Sequence, residues 1–146
     1  AIHSVYDWGY GLEVSTKLDT RVSILKIHPA ITESVARNGL LAEGCRAVII
    51  ETYGSGNAPS KGWFISLVQE AIAKGKIIVN KTQCLGGSVD MNIYEGGRLL
   101  LASGVVSAGD TTTEATLAKL FYLMGLYEDN AMVTKAMVKS LWGELS

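Results

Sequence analysis

The chain has 146 residues, of which 48% are hydrophobic and 18% charged, and its formal net charge is −1. This length fits one domain, and so much apolar material excludes a disordered chain. The 13 Lys and Arg residues are scattered and form no basic stripe, so we expect no nucleic acid as a partner. The apolar runs are shorter than the roughly 20 residues that a membrane span requires, so we expect no membrane partner.

The chain begins with an irregular segment, followed by a strand and a short helix. Residues 1–20 are aromatic and polar without sustained periodicity, and we interpret them as a linker or N-terminal arm. Residues 22–27 predict the first strand, and Thr32 is a candidate N-cap for a helix. The residues expected to be buried by this helix are Val35, Ala36 and Leu40.

A second strand, a long amphipathic helix and a third strand follow. Residues 47–50 are apolar on both faces, as in the interior of a parallel sheet. The next helix is predicted from near Ser60 to Gly75, and residues 77–79 predict the third strand. The apolar stripe of that helix comprises Trp63, Phe64, Leu67, Val68, Ala71 and Ile72.

The last third of the chain predicts three helices and a short strand. Residues 99–106 predict a helix rich in small residues and then a short strand. Thr111 with Glu114 three residues later forms a candidate capping box for the next helix, and Asp129 is a candidate N-cap for the last one. The residues expected on the inner sides of these two helices are Leu117, Leu120, Phe121, Met124, Met132, Val133, Ala136, Met137 and Leu141.

Strands that alternate with helices indicate βαβ units, parallel strands and right-handed crossovers. We therefore predict an α/β fold over residues 21–146: a three-layer, Rossmann-like domain with a small parallel β-sheet flanked by helices. The mean hydropathy of +0.24 is high for a small domain. This value favours a sheet covered on both faces, and it also favours some apolar surface for a partner.

Cysteine and histidine usage argues against a metal site. Cys45 and Cys84 are far apart and form no C-x-x-C motif, and only His3 and His28 could add imidazole ligands. A zinc site needs three or four converging ligands, so we predict no metal. Buried thiols are the favoured interpretation of the two cysteines, and they fit a reducing, cytoplasmic location.

A glycine-rich segment, residues 51–59, follows the second strand. It begins like a dinucleotide fingerprint with Gly54 and Gly56, but Pro59 stands where the third glycine belongs. The mononucleotide pattern also fails because Lys61 replaces its second glycine. We therefore predict no nucleotide and no other cofactor.

Several polar residues are expected at the carboxyl ends of the strands, where open α/β sheets bind their ligands. These residues are Tyr53, Ser55, Asn57, Asn80, Thr82, Gln83 and Tyr94. They can orient a small polar molecule, but they lack an activated nucleophile and its base. The residues alone therefore predict a binding domain rather than a complete catalyst.

Four stretches, taken in order, resemble the C-terminal domain of type I (cytoplasmic) L-asparaginases over roughly residues 20–126. They are HPAIT at 28–32, ETYGSGNAP at 51–59, VNKTQC at 79–84, and GVVSAGD at 104–110 continued by TEATLAKL at 113–120. That family hydrolyses L-asparagine to aspartate and ammonia. Its nucleophilic threonine lies in a larger N-terminal domain whose motifs these 146 residues do not contain. The resemblance therefore implies that the isolated domain is inactive and that its partners are that N-terminal asparaginase domain and a homodimer or homotetramer.

The resemblance also implies roles for individual residues. Asn57 matches the asparagine that reaches into the active site of a neighbouring subunit, with Tyr53 and Ser55 as further substrate-binding candidates. The alternative is that Asn57 only caps the following helix.

A second site is implied by some bacterial members of that family, which bind asparagine at an allosteric site. The positions that correspond to it here are Cys84, Thr82 and Glu51. Those members carry an arginine where this chain has Glu51, and a glutamate would repel the carboxylate of the effector. We therefore predict hyperbolic asparagine kinetics for the full-length protein.

Two other functions remain open from the sequence. One is a freestanding, non-catalytic module that binds a small molecule or a partner. The other is a subunit of a glutamyl-tRNA amidotransferase, in which an asparaginase-like protein supplies ammonia. A preference for asparagine over glutamine cannot be read from the residues.

Overall fold

The computed structural model describes residues 17–53, 62–82, 95–109 and 111–139. The α/β class is confirmed, because strands and helices alternate over most of the chain. In chain order the elements are β1 (Val22–Lys26), α1 (Glu33–Leu40), β2 (Ala47–Thr52), α2 (Gly62–Ala73), β3 (Ile77–Thr82), α3 (Glu95–Ala102), β4 (Val106–Ser107), α4 (Thr113–Leu126) and α5 (Asn130–Met137).

The four strands form one parallel sheet in the order β1-β2-β3-β4. The central strands β2 and β3 are apolar on both faces until their last residues, because helices cover both sides of the sheet. One apolar cluster joins β1, β2 and β3 to α1, α2 and α3, and a second cluster joins the opposite face to α4 and α5. These three layers agree with the predicted architecture.

The α1–α3 face follows the predicted pattern with one exception. Thr32 is the N-cap of α1, and its side chain accepts a hydrogen bond from the amide of Val35 at 3.3 Å. Ala36 and Leu40 are fully buried, but Val35 is 51% exposed, so its predicted burial is wrong. The buried stripe of α1, which packs against β1 and α2, consists of Ala36 and Leu40, and Val35 lies outside this narrow stripe.

On the opposite face, the predicted inner sides of α4 and α5 are largely confirmed. Leu120, Met124, Val133 and Met137 are buried, whereas Met132 is 43% exposed, contrary to prediction. Met132 lies in the first turn of α5, one position away from the stripe that contacts the sheet. The predicted inner residue Leu141 lies outside the described residues.

The start of α4 corrects a second prediction. Its N-cap is Thr112, whose hydroxyl accepts from the amide of Ala115, and not Thr111. Thr111 is buried instead, donating to the carbonyl of Ala108 at 3.0 Å and lying 2.7 Å from the hydroxyl of Thr116. It therefore joins the end of β4 to the first turns of α4.

The start of α3 differs from the prediction, whereas the predicted N-cap of α5 is confirmed. The helix predicted from residue 99 begins earlier, at Glu95. Asp129 caps α5 as predicted, accepting from the amide of Ala131 at 2.9 Å. None of the helices within the described ranges has the length and apolarity needed to span a bilayer.

Candidate functional site

The carboxyl edge of the sheet brings several predicted site residues together. Glu51 pairs in register with Lys81, and Thr52 pairs with Thr82, so β2 and β3 end side by side. Tyr53 follows β2 directly and is partly buried against the α1–α3 cluster. In an open α/β sheet this edge, beyond the carboxyl ends of the strands, is the usual place for a ligand.

On the α1–α3 face of this edge, two polar side chains are fully buried. The hydroxyl of Thr52 donates to the amide oxygen of Asn80 at 2.6 Å, and both residues have no exposed surface. Burying polar groups among aliphatic residues is costly unless they are hydrogen-bonded, and this pair satisfies that condition. The sequence singled out Asn80 but missed Thr52, because only the register reveals that the two lie within hydrogen-bonding distance.

On the α4 face of the same edge lies the carboxylate of Glu51. It accepts a hydrogen bond at 2.9 Å from the hydroxyl of Thr113, the first residue of α4. The positive end of the α4 dipole and the register neighbours Lys26 and Lys81 favour an anion at this position. Sequence reasoning missed Thr113 and also Lys81, which is buried although lysine is usually exposed.

The remaining predicted site residues lie partly outside the described structure. The predicted residues that belong to segments outside the described structure are Ser55, Asn57, Gln83, Cys84 and Tyr94. Thr82 is the last residue of β3. The other cysteine, Cys45, is a free thiol, as predicted, and its side chain is partly buried.

The amino edge of the sheet has a different character, and Arg46 is its centre. This guanidinium donates to the carbonyls of Met124 and Tyr127 at 2.9 Å and of Glu128 at 3.0 Å. It also donates to the side chain of Asn130 at 2.9 Å. Arg46 thus satisfies carbonyls at the C-terminal end of α4 and joins that end to the start of α5.

A carboxylate lies between two guanidinium groups at the amino edge. Asp19 accepts two hydrogen bonds from the guanidinium of Arg21, and one of its oxygens lies 3.6 Å from Nη1 of Arg46. The hydrogen bond from Arg21 is the main reason why the pKa of Asp19 falls to about 2, and the charges of Arg21 and Arg46 act in the same direction.

An open cavity of about 560 Å³ lies beside these groups. Its lining residues are Lys17, Leu18, Asp19, Thr20, Arg21, Arg46, Met124, Gly125 and Glu128. The cavity lies at the edge opposite to the usual ligand position, and Asp19, Arg21 and Arg46 already bind one another or the backbone. The polar groups of the amino edge therefore contribute to the fold. In the part of the chain that the structure describes, no three His, Cys, Asp or Glu residues converge as metal ligands.

Comparison with known families agrees with this geometry. The glutaminase/asparaginase C-terminal domain family matches residues 21–137, which include every strand and helix that the structure describes. The chain belongs to this family. Membership of the glutaminase/asparaginase C-terminal domain family agrees with the parallel sheet and its flanking helices.

Individual relatives share the sequence and the fold. L-asparaginase 1 of Escherichia coli K12 is 41% identical over 125 residues, which are 86% of this chain and 37% of that protein. A subunit of the glutamyl-tRNA(Gln) amidotransferase of Metallosphaera sedula is 37% identical over 134 residues, 92% of this chain and 30% of that protein. The crystal structure of L-asparaginase I from Vibrio cholerae matches with a TM-score of 0.83 at 36% identity, covering 93% of this chain and 41% of that one. This glutaminase/asparaginase C-terminal domain therefore spans well under half the length of these relatives.

Proposed function

We propose that this chain is the C-terminal domain of an L-asparagine amidohydrolase, which converts asparagine and water to aspartate and ammonia. The main support is the 41% identity to an L-asparaginase over 125 residues. The carboxyl edge is consistent with half of a site: the hydroxyls of Thr52 and Thr113 donate to an amide and a carboxylate. Hydrolysis also needs an activated nucleophile, which the proposal assigns to an upstream domain, so the isolated domain is proposed to be inactive.

The proposed contribution of this domain is substrate binding. Asn57, with Tyr53 and Ser55, contacts the α-amino acid end of asparagine in the active site of a neighbouring subunit. An amide can donate to the substrate carboxylate and accept from its ammonium group, which are the two charges that all α-amino acids share. This role requires the N-terminal asparaginase domain and a homodimer or homotetramer, and the proposed location is the cytoplasm.

Regulation is part of the same proposal. Cys84, Thr82 and Glu51 mark the place of the allosteric site, but the Glu51 carboxylate is engaged by Thr113 and would repel the carboxylate of an amino-acid effector. Hyperbolic asparagine kinetics are therefore proposed.

The test replaces Asn57 in the full-length protein that contains this chain. Asn57→Ala should lower kcat/KM for asparagine by about a hundredfold, because substrate orientation depends on a few well-placed polar groups. The matched control is Asn38→Ala, on an exposed position of α1, which should stay within about twofold of the unchanged enzyme. Rates are measured with asparagine and with glutamine to determine side-chain preference.

Two results would contradict the proposal. Equal kcat/KM values for the Asn57 and Asn38 variants would show that Asn57 does not contribute to substrate binding. Turnover of asparagine by the purified 146-residue chain would show that the domain carries its own catalytic groups.

A second candidate is the ammonia-supplying subunit of a glutamyl-tRNA amidotransferase. It is favoured by the 37% identity to such a subunit over 134 residues. The two candidates differ in what activates ammonia release. The asparaginase acts on the free amino acid alone, whereas the amidotransferase subunit would require its partner and charged tRNA. Steady release of ammonia from free asparagine without either addition would decide for the asparaginase.

A further inference from the structure

Residues 17–21, which we call the strap, precede β1 and lie across the C-terminal end of α4. The amide of Asp19 donates to the carbonyl of Phe121 at 3.1 Å. A Cβ atom placed on Gly125 would lie 2.2 Å from the carbonyl oxygen of Lys17 and 3.1 Å from the Cα of Leu18. Only glycine at position 125 therefore lets the strap lie this close to the helix.

The strap is also held by charge. Asp19, whose side chain is 14% exposed, binds Arg21 within the strap and forms an ion pair with Arg46 outside it. Arg46 at the same time donates to the carbonyls at the end of α4. One guanidinium thus connects the strap, the end of α4 and the start of β2.

Burial of apolar surface does not explain this arrangement. Lys17, Leu18 and Thr20 are exposed, and Leu18 leaves 37% of its surface in water. A glycine inside a helix costs roughly 1 kcal/mol relative to alanine, so α4 loses stability at Gly125. The helix is less stable than it could be at the one position where the strap crosses it.

We propose that the strap is a clamp that fixes where, and in which direction, the chain enters this domain. Gly125, Asp19 and Arg46 are then positioning residues for the shared site. This part rests on the proposed function, in which an upstream domain supplies the nucleophile. A clamped strap fixes the point at which an upstream domain is tethered, and it thereby raises the effective concentration of one half of the site at the other.

Hydrogen exchange on the 146-residue chain tests the clamp without any activity. In Gly125→Ala the amide of Asp19 should exchange about tenfold faster, while the amides of β2 and β3 keep their protection. The matched control is Gly62→Ala, also in a helix, where an added Cβ meets no atom of the described residues within 4 Å. Unchanged protection of Asp19 in Gly125→Ala would overturn the clamp.

A second variant tests the clamp independently, in case Gly125→Ala fails to fold. Asp19→Ala leaves the surface of α4 intact but removes the ion pair with Arg46. It should raise the exchange rate of the Asp19 and Arg21 amides about as much as Gly125→Ala does. If the exchange rates in Asp19→Ala match those of the unchanged chain, charge does not hold the strap.

The positioning role is tested in the full-length protein. Gly125→Ala should lower kcat/KM for asparagine about fivefold through KM, with kcat and the thermal midpoint nearly unchanged. If Gly125→Ala releases the strap but KM is unaltered, the positioning role is wrong and the clamp itself stands. Absence of asparaginase activity in the unchanged protein would contradict the proposed function, while the exchange result would still decide the clamp.

Discussion

Both edges of the parallel sheet contain polar side chains, but the two edges use them differently. At the amino edge, Arg46 and Lys76 donate mainly to backbone carbonyls, although Arg46 also contacts the side chains of Asn130 and Asp19. At the carboxyl edge, Thr52 binds Asn80 and Thr113 binds Glu51, so side chains bind side chains. The first arrangement closes helix ends and loops, and the second presents oriented polar groups beneath the proposed ligand position.

This difference has a physical basis. Carbonyl oxygens at helix C-termini attract cations, so an arginine or lysine placed there stabilises the fold without any further function. Buried side-chain pairs such as Thr52 and Asn80 contribute little net stability relative to apolar residues of the same size. Their presence at the carboxyl edge therefore fits a functional constraint better than a requirement of folding.

The largest effect on stability is expected from a substitution at the amino edge. Arg46→Met removes the donors to three carbonyls and leaves Asp19 without its second cation. The free energy of unfolding should fall by about 3 kcal/mol, because partly buried acceptors and Asp19 lose their partner at the same time. Urea unfolding measures this loss. The control Arg21→Met, at an exposed side chain, should cost less than half as much, and equal costs would disprove the central place of Arg46.

The next largest effect on stability is expected from a substitution at the carboxyl edge. Thr52→Val keeps the shape of the side chain but leaves the amide oxygen of Asn80 without its hydroxyl donor. Unfolding should become easier by about 1–3 kcal/mol. The same change at Thr134, whose hydroxyl binds within α5, should stay within about 0.5 kcal/mol. If the Thr52→Val domain is as stable as its parent, the hydrogen bond between Thr52 and Asn80 does not stabilise the fold.

The smallest expected effect is the loss of stability at low pH that results from protonation of Asp19 in the strap. Folding holds the pKa of Asp19 at about 2, below its ordinary value of 3.8. The stabilisation is therefore present above about pH 4 and is lost as the pH falls through about 2, because the unfolded chain binds the proton first. Since Arg21 is exposed, the loss should be about 1–2 kcal/mol. Urea titrations at about pH 5 and pH 2 measure it, and Asp19→Asn should remove this part of the pH dependence.

Local patterns predicted most of the fold because they act over short distances. The apolar runs specified the central strands, and Thr32 and Asp129 were found as N-caps from their own neighbourhoods. The choice between Thr111 and Thr112 failed because it depends on where β4 ends. The exposure of Val35 and Met132 depends on which strands each helix covers, which a helical period does not contain.

The contacts that define the two edges were not predictable in the same way. Arg46 and the carbonyls that it binds lie about eighty positions apart in sequence. Lysine is usually a surface residue, yet Lys119 is buried and donates to the carbonyl of Met137 at 2.9 Å. The proposed role of Asn57 came from resemblance, since the residues alone allowed a simple helix cap.

The most direct measurement compares Asn57→Ala with Arg46→Met in the full-length protein, at a temperature where both are folded. Activity per folded molecule and the free energy of unfolding are determined for each. We expect Asn57→Ala to lose about two orders of magnitude in kcat/KM with nearly unchanged stability. We expect Arg46→Met to lose about 3 kcal/mol, while its kcat/KM falls by no more than the roughly fivefold loss expected for a released strap. The reverse pattern, or equal loss of both properties in both variants, would contradict the separation of the two edges.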